Sequence, residues 1–139
     1  LAEKGCDGFV FRGDDGLDEI TLVTTTSVLS IGRDEIKSDR IDAKDFGMQN
    51  APIDAIVGGD AQENAQISRA IFAGERGAPR DAVLLNAAAA IAAFEGDLEG
   101  DIKQRLTLGL ERAKNAVDSG AALELLNKWA ALTQQISAS

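Results

Sequence analysis

The stretch from Asp81 to Phe94 constrains the fold most, because among its residues only Asp81 and Asn86 are polar. A helix that is apolar on nearly every side has to be surrounded by other elements. A run of alanines also lets those neighbours come close. The apolar part, Ala82 to Phe94, is too short to cross a bilayer, which takes roughly 20 residues. The stretch is therefore predicted as the central buried helix of a globular fold, and the rest of the chain has to supply its surroundings.

Two halves of different periodicity do so. Residues 1–57 read mainly as strands. Phe9-Val10-Phe11 is a short β-favouring run that ends in the turn-forming cluster Arg12-Gly13-Asp14-Asp15-Gly16. Ile20 to Thr26 is rich in β-branched residues and is predicted as a strand, with Ile20, Leu22 and Thr24 facing one way and Thr21, Val23 and Thr25 the other. Val28 to Ile31 continues that character, Gly32-Arg33-Asp34 is predicted as a hairpin turn into Glu35 to Ile41, and Asp42 to Pro52 reads as a polar connection.

Residues 58–139 read mainly as helices. Asp60-Ala61-Gln62-Glu63 has the form of a helix start, and Ile67, Ala70 and Ile71 give that helix an apolar stripe ending near Gly74. A loop, Gly77-Ala78-Pro79-Arg80, precedes the apolar helix, and Gly96 to Gly100 follows it. Ile102, Leu106, Leu110, Ala113 and Val117 mark a third helix. Ser119 is predicted to cap a fourth, with the stripe Ala122, Leu125, Leu126, Trp129, Leu132 and Ile136, and Trp129 is predicted as core. Strands followed by helices fit an α+β domain, or equally the back part of an α/β domain whose earlier units lie upstream.

Composition narrows the chemistry. With 139 residues there is enough chain for one domain with a core, and with aromatic residues at 4% that core is aliphatic. The 23 acidic and 14 basic residues give a net charge of −9, which repels phosphate backbones and argues against nucleic-acid binding. A small phosphorylated substrate is still accessible through a bridging cation. There is no histidine, so a Ser-His-Asp triad, a histidine base and a histidine-ligated zinc site cannot form within this chain. Cys6 is the single cysteine; it can form no intrachain disulfide, fits a reducing cytosol and reads as structural. The chain opens on polar Glu3 and Lys4 without a secretory pattern, and it lacks an initiator methionine, as a fragment or processed product would.

The most informative local feature is Asp14-Asp15-Gly16-Leu17-Asp18-Glu19, four carboxylates within six residues. Such crowding is costly unless solvent or a cation relieves it. Oxygen-only donors suit Mg²⁺, which keeps several waters and bridges one or two carboxylates to substrate phosphates. An ordinary solvated acidic turn has the same pattern. Gly58-Gly59-Asp60 reads as a turn and N-cap rather than an anion cradle, since a capping carboxylate competes with a bound phosphate. Asn86 reads as a buried amide bonded to a neighbouring backbone group. Arg69, Arg76 and Arg80 are too dispersed in sequence to mark a phosphate site.

Four collinear segments resemble the anthranilate phosphoribosyltransferases. They are Gly16-Leu17-Asp18-Glu19-Ile20, Gly58-Gly59-Asp60-Ala61-Gln62-Glu63-Asn64-Ala65, Gly74-Glu75-Arg76-Gly77-Ala78-Pro79-Arg80-Asp81-Ala82-Val83-Leu84-Leu85-Asn86-Ala87, and Asp118-Ser119-Gly120-Ala121-Ala122. Val10-Phe11-Arg12-Gly13-Asp14-Asp15 looks like the actinobacterial branch. The resemblance implies that residues 1–139 are the C-terminal part of a large α/β domain with a mixed sheet and packed helices. It implies transfer of phosphoribosyl from phosphoribosyl pyrophosphate to the amine of anthranilate, in tryptophan biosynthesis. It further implies a cytoplasmic homodimer as the complete enzyme, and Mg²⁺ held by the pair that maps onto Asp18 and Glu19. No catalytic or other cofactor-binding residue is carried over. The family's pyrophosphate loop, its serine/threonine and lysine-histidine-glycine-asparagine segments and its anthranilate-contacting arginine have no counterpart in this chain. Arg12 stands where many members have histidine. The isolated chain is therefore expected to be inactive. A pyrimidine nucleoside phosphorylase-like enzyme is the rival of similar fold, and a metal-binding or assembly module is the rival without catalysis.

Overall fold

Phe9-Val10-Phe11 forms the centre of a strand, β1 (Gly8–Gly13), and the β-branched residues after the acidic turn form β2 (Thr26–Ile31). A third strand, β3 (Ile36–Ile41), completes an antiparallel sheet in the order β1-β2-β3. The computed structural model describes residues 2–32, 35–96 and 101–137. Val10 lies opposite Leu29, and Val28 opposite Asp39. Alternation puts Thr26 and Val28 into the core, while Ser27 and Leu29 face out. Gly32 donates to the Glu35 carbonyl at 2.9 Å, as a hairpin requires; Arg33 and Asp34 lie outside the described residues.

The predicted strand from Ile20 to Thr26 is corrected. Only Thr26 enters a strand, and the stretch before it follows an irregular path. Ile20, Thr21 and Leu22 are all buried in succession, which a pleated strand with alternating faces would not do. Side chains rather than a neighbouring strand satisfy this backbone, as described below. The connection from Asp42 to Pro52 also has more structure than expected. It contains a 3₁₀ turn at Ala43–Phe46, capped reciprocally by Asp42 and Asp45, and it buries Ala43 and Met48.

Four helices follow: α1 (Ala61–Phe72), α2 (Ala78–Glu95), α3 (Ile102–Asp118) and α4 (Ala121–Ser137). Asp60 caps α1 by accepting from the Glu63 amide at 2.8 Å. Helix α2 begins three residues before the expected Asp81, so Pro79 and Arg80 belong to its first turn rather than to a loop. Proline is tolerated there because first-turn amides have no intrahelical partner. Asp101 and Gln104 form a capping box for α3. The expected spacer from Gly96 to Gly100 lies outside the described residues beyond Gly96.

Helices α2 and α3 form the centre of the molecule. Leu84, Leu85, Ala88, Ala89 and Ala92 meet Ile102, Leu106, Leu110, Ala113 and Val117, with Ile20, Leu22, Val28 and Ile41 closing the core from the sheet side. The approach is close enough that a Cβ on Gly109 would lie 2.3 Å from the Ala88 carbonyl oxygen. Placement of α2 at the centre is as predicted, but it is not covered all round: Val83, Ala90 and Phe94 stand along an exposed line, Phe94 at 91%. The larger correction concerns α4. Trp129 is 63% exposed rather than core, and Leu125, Leu132 and Ile136 are exposed with it. Ala122 and Leu126 supply its inner side, and the α2–α3 interface is already filled without it. Ser119 is the C-cap of α3, and its hydroxyl also accepts from the Ala121 amide at the start of α4, at 3.5 Å.

Candidate functional site

The acidic turn joins β1 to the irregular buried stretch, and its four carboxylates divide into two pairs. Asp15 accepts from the Thr21 hydroxyl at 2.6 Å and from the Leu17 amide at 3.1 Å. Gly13 leaves room for this carboxylate: a Cβ there would lie 2.2 Å from Asp15 Oδ1, so a larger residue would displace the Asp15 side chain. Asp14 accepts from the Thr25 hydroxyl and from the Arg40 guanidinium of β3. These bonds hold its carboxyl below the usual carboxylate value, the Thr25 hydroxyl having the larger effect and Arg40 the next. Both carboxylates are thus committed to building the turn.

Asp18 and Glu19 are not. Both are exposed, and neither side chain takes part in a hydrogen bond or ion pair among the described residues. Their backbone is nevertheless fixed on both sides. Ahead of them, Leu17 receives the Gly13 amide on its carbonyl at 2.8 Å and gives its own amide to Asp15. Behind them, the Ile20 amide donates to Asn86 Oδ1 at 2.9 Å and the Ile20 carbonyl accepts from Asn86 Nδ2 at 2.9 Å. The Thr21 amide then donates to Thr26 Oγ1, and the Leu22 carbonyl accepts from the Ala51 amide and from Asn50 Nδ2, each at 3.0 Å. Two carboxylates with free oxygens therefore stand on an anchored backbone, a donor set suited to a hard divalent cation. No group of three carboxylates or thiols forms a cage among the described residues, so a cation here would take its remaining ligands from water or from a phosphate.

Glu19 also borders a cleft of about 460 Å³, walled by Val57, Asn64, Pro79, Val83 and Asn86 between the end of the 50s loop, α1 and α2. The expected turn and N-cap at Gly58-Gly59-Asp60 are borne out, and the Gly59 amide is already bonded. Asn64 brackets Gly59 with two bonds of 2.9 Å, and Asp60 caps the helix. Asn86 is bonded to backbone as expected. Its partner across the fold, Ile20, was not legible in the sequence, nor were Thr21 and Thr25 as organisers of the turn. Of the three arginines, Arg69 reaches Asn127 on α4, while Arg80 is buried and paired with Asp118 at 2.6 Å. Arg76 and Arg80 line one cleft with Glu75 and Gln66. Cys6 is exposed, its sulfur 3.9 Å from the Lys4 carbonyl. No helix among the described residues is long and apolar enough to cross a membrane.

The sequence model of the glycosyl transferase family, a/b domain, matches residues 3–123. The chain belongs to that family. Its segment is 46% identical over all 139 residues to the anthranilate phosphoribosyltransferase of Rhodococcus jostii, and 46% identical over 134 residues to that of Nocardioides sp.. The chain spans 38% and 39% of the length of these two relatives. Among solved structures, the anthranilate phosphoribosyltransferase of Thermus thermophilus superposes with a TM-score of 0.78 at 31% identity, covering 93% of this chain and 36% of that one. The Saccharomyces cerevisiae enzyme, solved in complex with PRPP and Mg, superposes with a TM-score of 0.74 over 87% of this chain and 33% of that one; at 23% identity it bears on the fold alone. The α/β class read from the sequence is the class found, and the strands described here are all antiparallel.

Proposed function

We propose that this segment is the C-terminal part of the α/β domain of an anthranilate phosphoribosyltransferase, and that Asp18 and Glu19 hold its Mg²⁺. The whole enzyme transfers the phosphoribosyl group of phosphoribosyl pyrophosphate to the amine of anthranilate, in the cytoplasmic synthesis of tryptophan, as a homodimer. The observation that carries the site is the division of the acidic turn: Asp14 and Asp15 are consumed by Thr25, Arg40, Thr21 and Leu17, whereas Asp18 and Glu19 keep their oxygens free on a fixed backbone. A ligand positioned before it binds loses less ordering entropy on binding. The relatives' names support the substrates, and the oxygen-only donor set of Asp18 and Glu19 supports the cation.

Chemistry at the ribose carbon develops positive character as pyrophosphate departs, and a bound divalent cation stabilises the departing negative charge. Asp18 and Glu19 contribute by binding and orientation. The attacking amine is already neutral, so no base is demanded of this chain. The family's phosphate-binding loops have no counterpart in this chain, which is why the 139-residue chain by itself is expected to show no turnover with saturating anthranilate, phosphoribosyl pyrophosphate and Mg²⁺.

A Mg²⁺ titration of the complete enzyme at fixed phosphoribosyl pyrophosphate tests the assignment. Asp18→Asn and Glu19→Gln should each lower turnover and raise the Mg²⁺ needed for half-maximal rate, and Asp14→Asn and Asp15→Asn should change that requirement far less. The assignment is wrong if the first two behave as wild type while the latter two raise it.

A further inference from the structure

The residue directly after Glu19 has no strand neighbour, yet both its backbone groups are bonded. One side chain does this. Asn86, on the central helix α2, accepts the Ile20 amide and donates to the Ile20 carbonyl, each at 2.9 Å, across 66 residues of sequence. Its second amide hydrogen goes to the Ala82 carbonyl one turn back, at 3.0 Å. Both donors of the amide are spent on backbone, so Asn86 has none to offer a ligand in the neighbouring cleft. What it does instead is mimic a paired strand at a single residue.

We propose that Asn86 is a positioning residue for the metal-binding pair: it transmits the rigidity of the α2–α3 core to Glu19 by clamping the peptide groups on either side of Ile20. The inference rests on Asp18 and Glu19 holding the cation. The amide of Ile20 is the peptide joining it to Glu19, so the bond to Asn86 Oδ1 fixes the plane from which the Glu19 side chain leaves. Ile20 is itself 1% exposed and packs in the core, which gives the clamp a rigid seat. Without the amide, Ile20 would stay buried by its side chain while the Glu19–Ile20 peptide lost a buried partner and its orientation. Partners that orient a metal ligand from behind change metal affinity by about 10–100-fold when removed.

The test uses the complete enzyme and Mn²⁺ alone, with free ion counted by electron paramagnetic resonance, so that no turnover is needed. Asn86→Leu keeps the volume and removes the three bonds. It should raise the Mn²⁺ dissociation constant by about 10–100-fold, measured well below its melting temperature. Leu84→Ala, in the same helix, is the control: it destabilises the core but removes none of the three Asn86 bonds, and it should leave the constant within about twofold of wild type, as expected for a merely structural change. An unchanged constant in Asn86→Leu, or an equal rise in Leu84→Ala, overturns the proposal. Should Asn86→Leu fail to fold, amide exchange in the unaltered enzyme decides: protection at Ile20 comparable to the amides of α2 supports the clamp, and exchange as fast as an open loop refutes it. Asp18→Asn and Glu19→Gln serve as reference. If these two bind Mn²⁺ as wild type does, the metal assignment itself has failed; if they lose it while Asn86→Leu does not, the positioning role alone has failed.

Discussion

Helices α3 and α4 have the same length, 17 residues each, and both carry an apolar stripe at helical spacing, yet they end in opposite situations. Every stripe residue of α3, from Ile102 to Val117, is buried, while α4 buries none of its residues. The difference lies in the partner. Helix α3 faces the alanine-rich side of α2, where Ala88, Ala89 and Ala92 leave room for its leucines, and Gly109 lets the two backbones approach. Helix α4 meets this chain through small or half-buried residues such as Ala122 and Leu126 and turns Leu125, Trp129 and Leu132 outward. Charges repeat the contrast. Lys103 of α3 reaches across to Asp45 at 2.9 Å, whereas Lys128 of α4 pairs within its own helix with Glu124. An amphipathic stripe thus states that a face wants cover; only a complementary surface makes it core.

That comparison can be broken in four places. The largest expected effect is at Leu106, which is fully buried: Leu106→Ala should cost about 2–5 kcal/mol in denaturant unfolding of the chain. A loss below about 1 kcal/mol would mean that α3 is not seated as described. Next, Gly109→Ala pushes a methyl into the Ala88 backbone. It should destabilise by about 1–3 kcal/mol, although alanine is the better helix former by about 1 kcal/mol. A stabilised variant would show that α2 and α3 stand further apart.

A smaller effect is expected from Lys103→Met, and it is best read from its pH dependence. The hydrogen bond that Lys103 donates to the Asp45 carboxylate lowers the Asp45 pKa from its ordinary 3.8 and raises the Lys103 pKa from 10.5. A lowered carboxyl pKa stabilises above 3.8, and that stabilisation is lost as pH falls through the folded value. A raised lysine pKa stabilises below 10.5, and that contribution is lost as pH rises through the folded value. The difference in melting temperature between wild type and Lys103→Met should therefore be flat between these limits and shrink outside them, while Lys128→Met, which removes only an exposed pair, should change the melting temperature less. The smallest effect belongs to Trp129→Ala, which should change the stability of this chain by less than about 0.5 kcal/mol. A loss above about 2 kcal/mol would place Trp129 in a core after all.

The acidic turn offers the same lesson at smaller scale. All four carboxylates were visible in the sequence, and the resemblance to the transferases singled out Asp18 and Glu19. The residues that commit Asp14 and Asp15 elsewhere, Thr25, Arg40 and Thr21, carry no local pattern that announces the role. The predicted strand from Ile20 failed for a related reason. β-Branched residues favour extended backbone wherever it is found, but a strand also needs a neighbouring strand, and here Asn86, Thr26 and Asn50 take that neighbour's place.

What the sequence by itself determined are the quantities that depend on near neighbours along the chain. These are the four helices, the capped start of the first at Asp60, the three strands, the acidic turn, the lack of histidine within these 139 residues and the central position of an apolar helix. Periodicity, turn chemistry and capping act over a few residues, so their signals survive in one dimension. Tertiary structure alone decided which apolar faces are covered and which carboxylates stay free. Both depend on groups far apart in the chain, such as Asn86 and Ile20 or Arg40 and Asp14, meeting in space. Burial and hydrogen-bond satisfaction are properties of that meeting, and no local propensity encodes them.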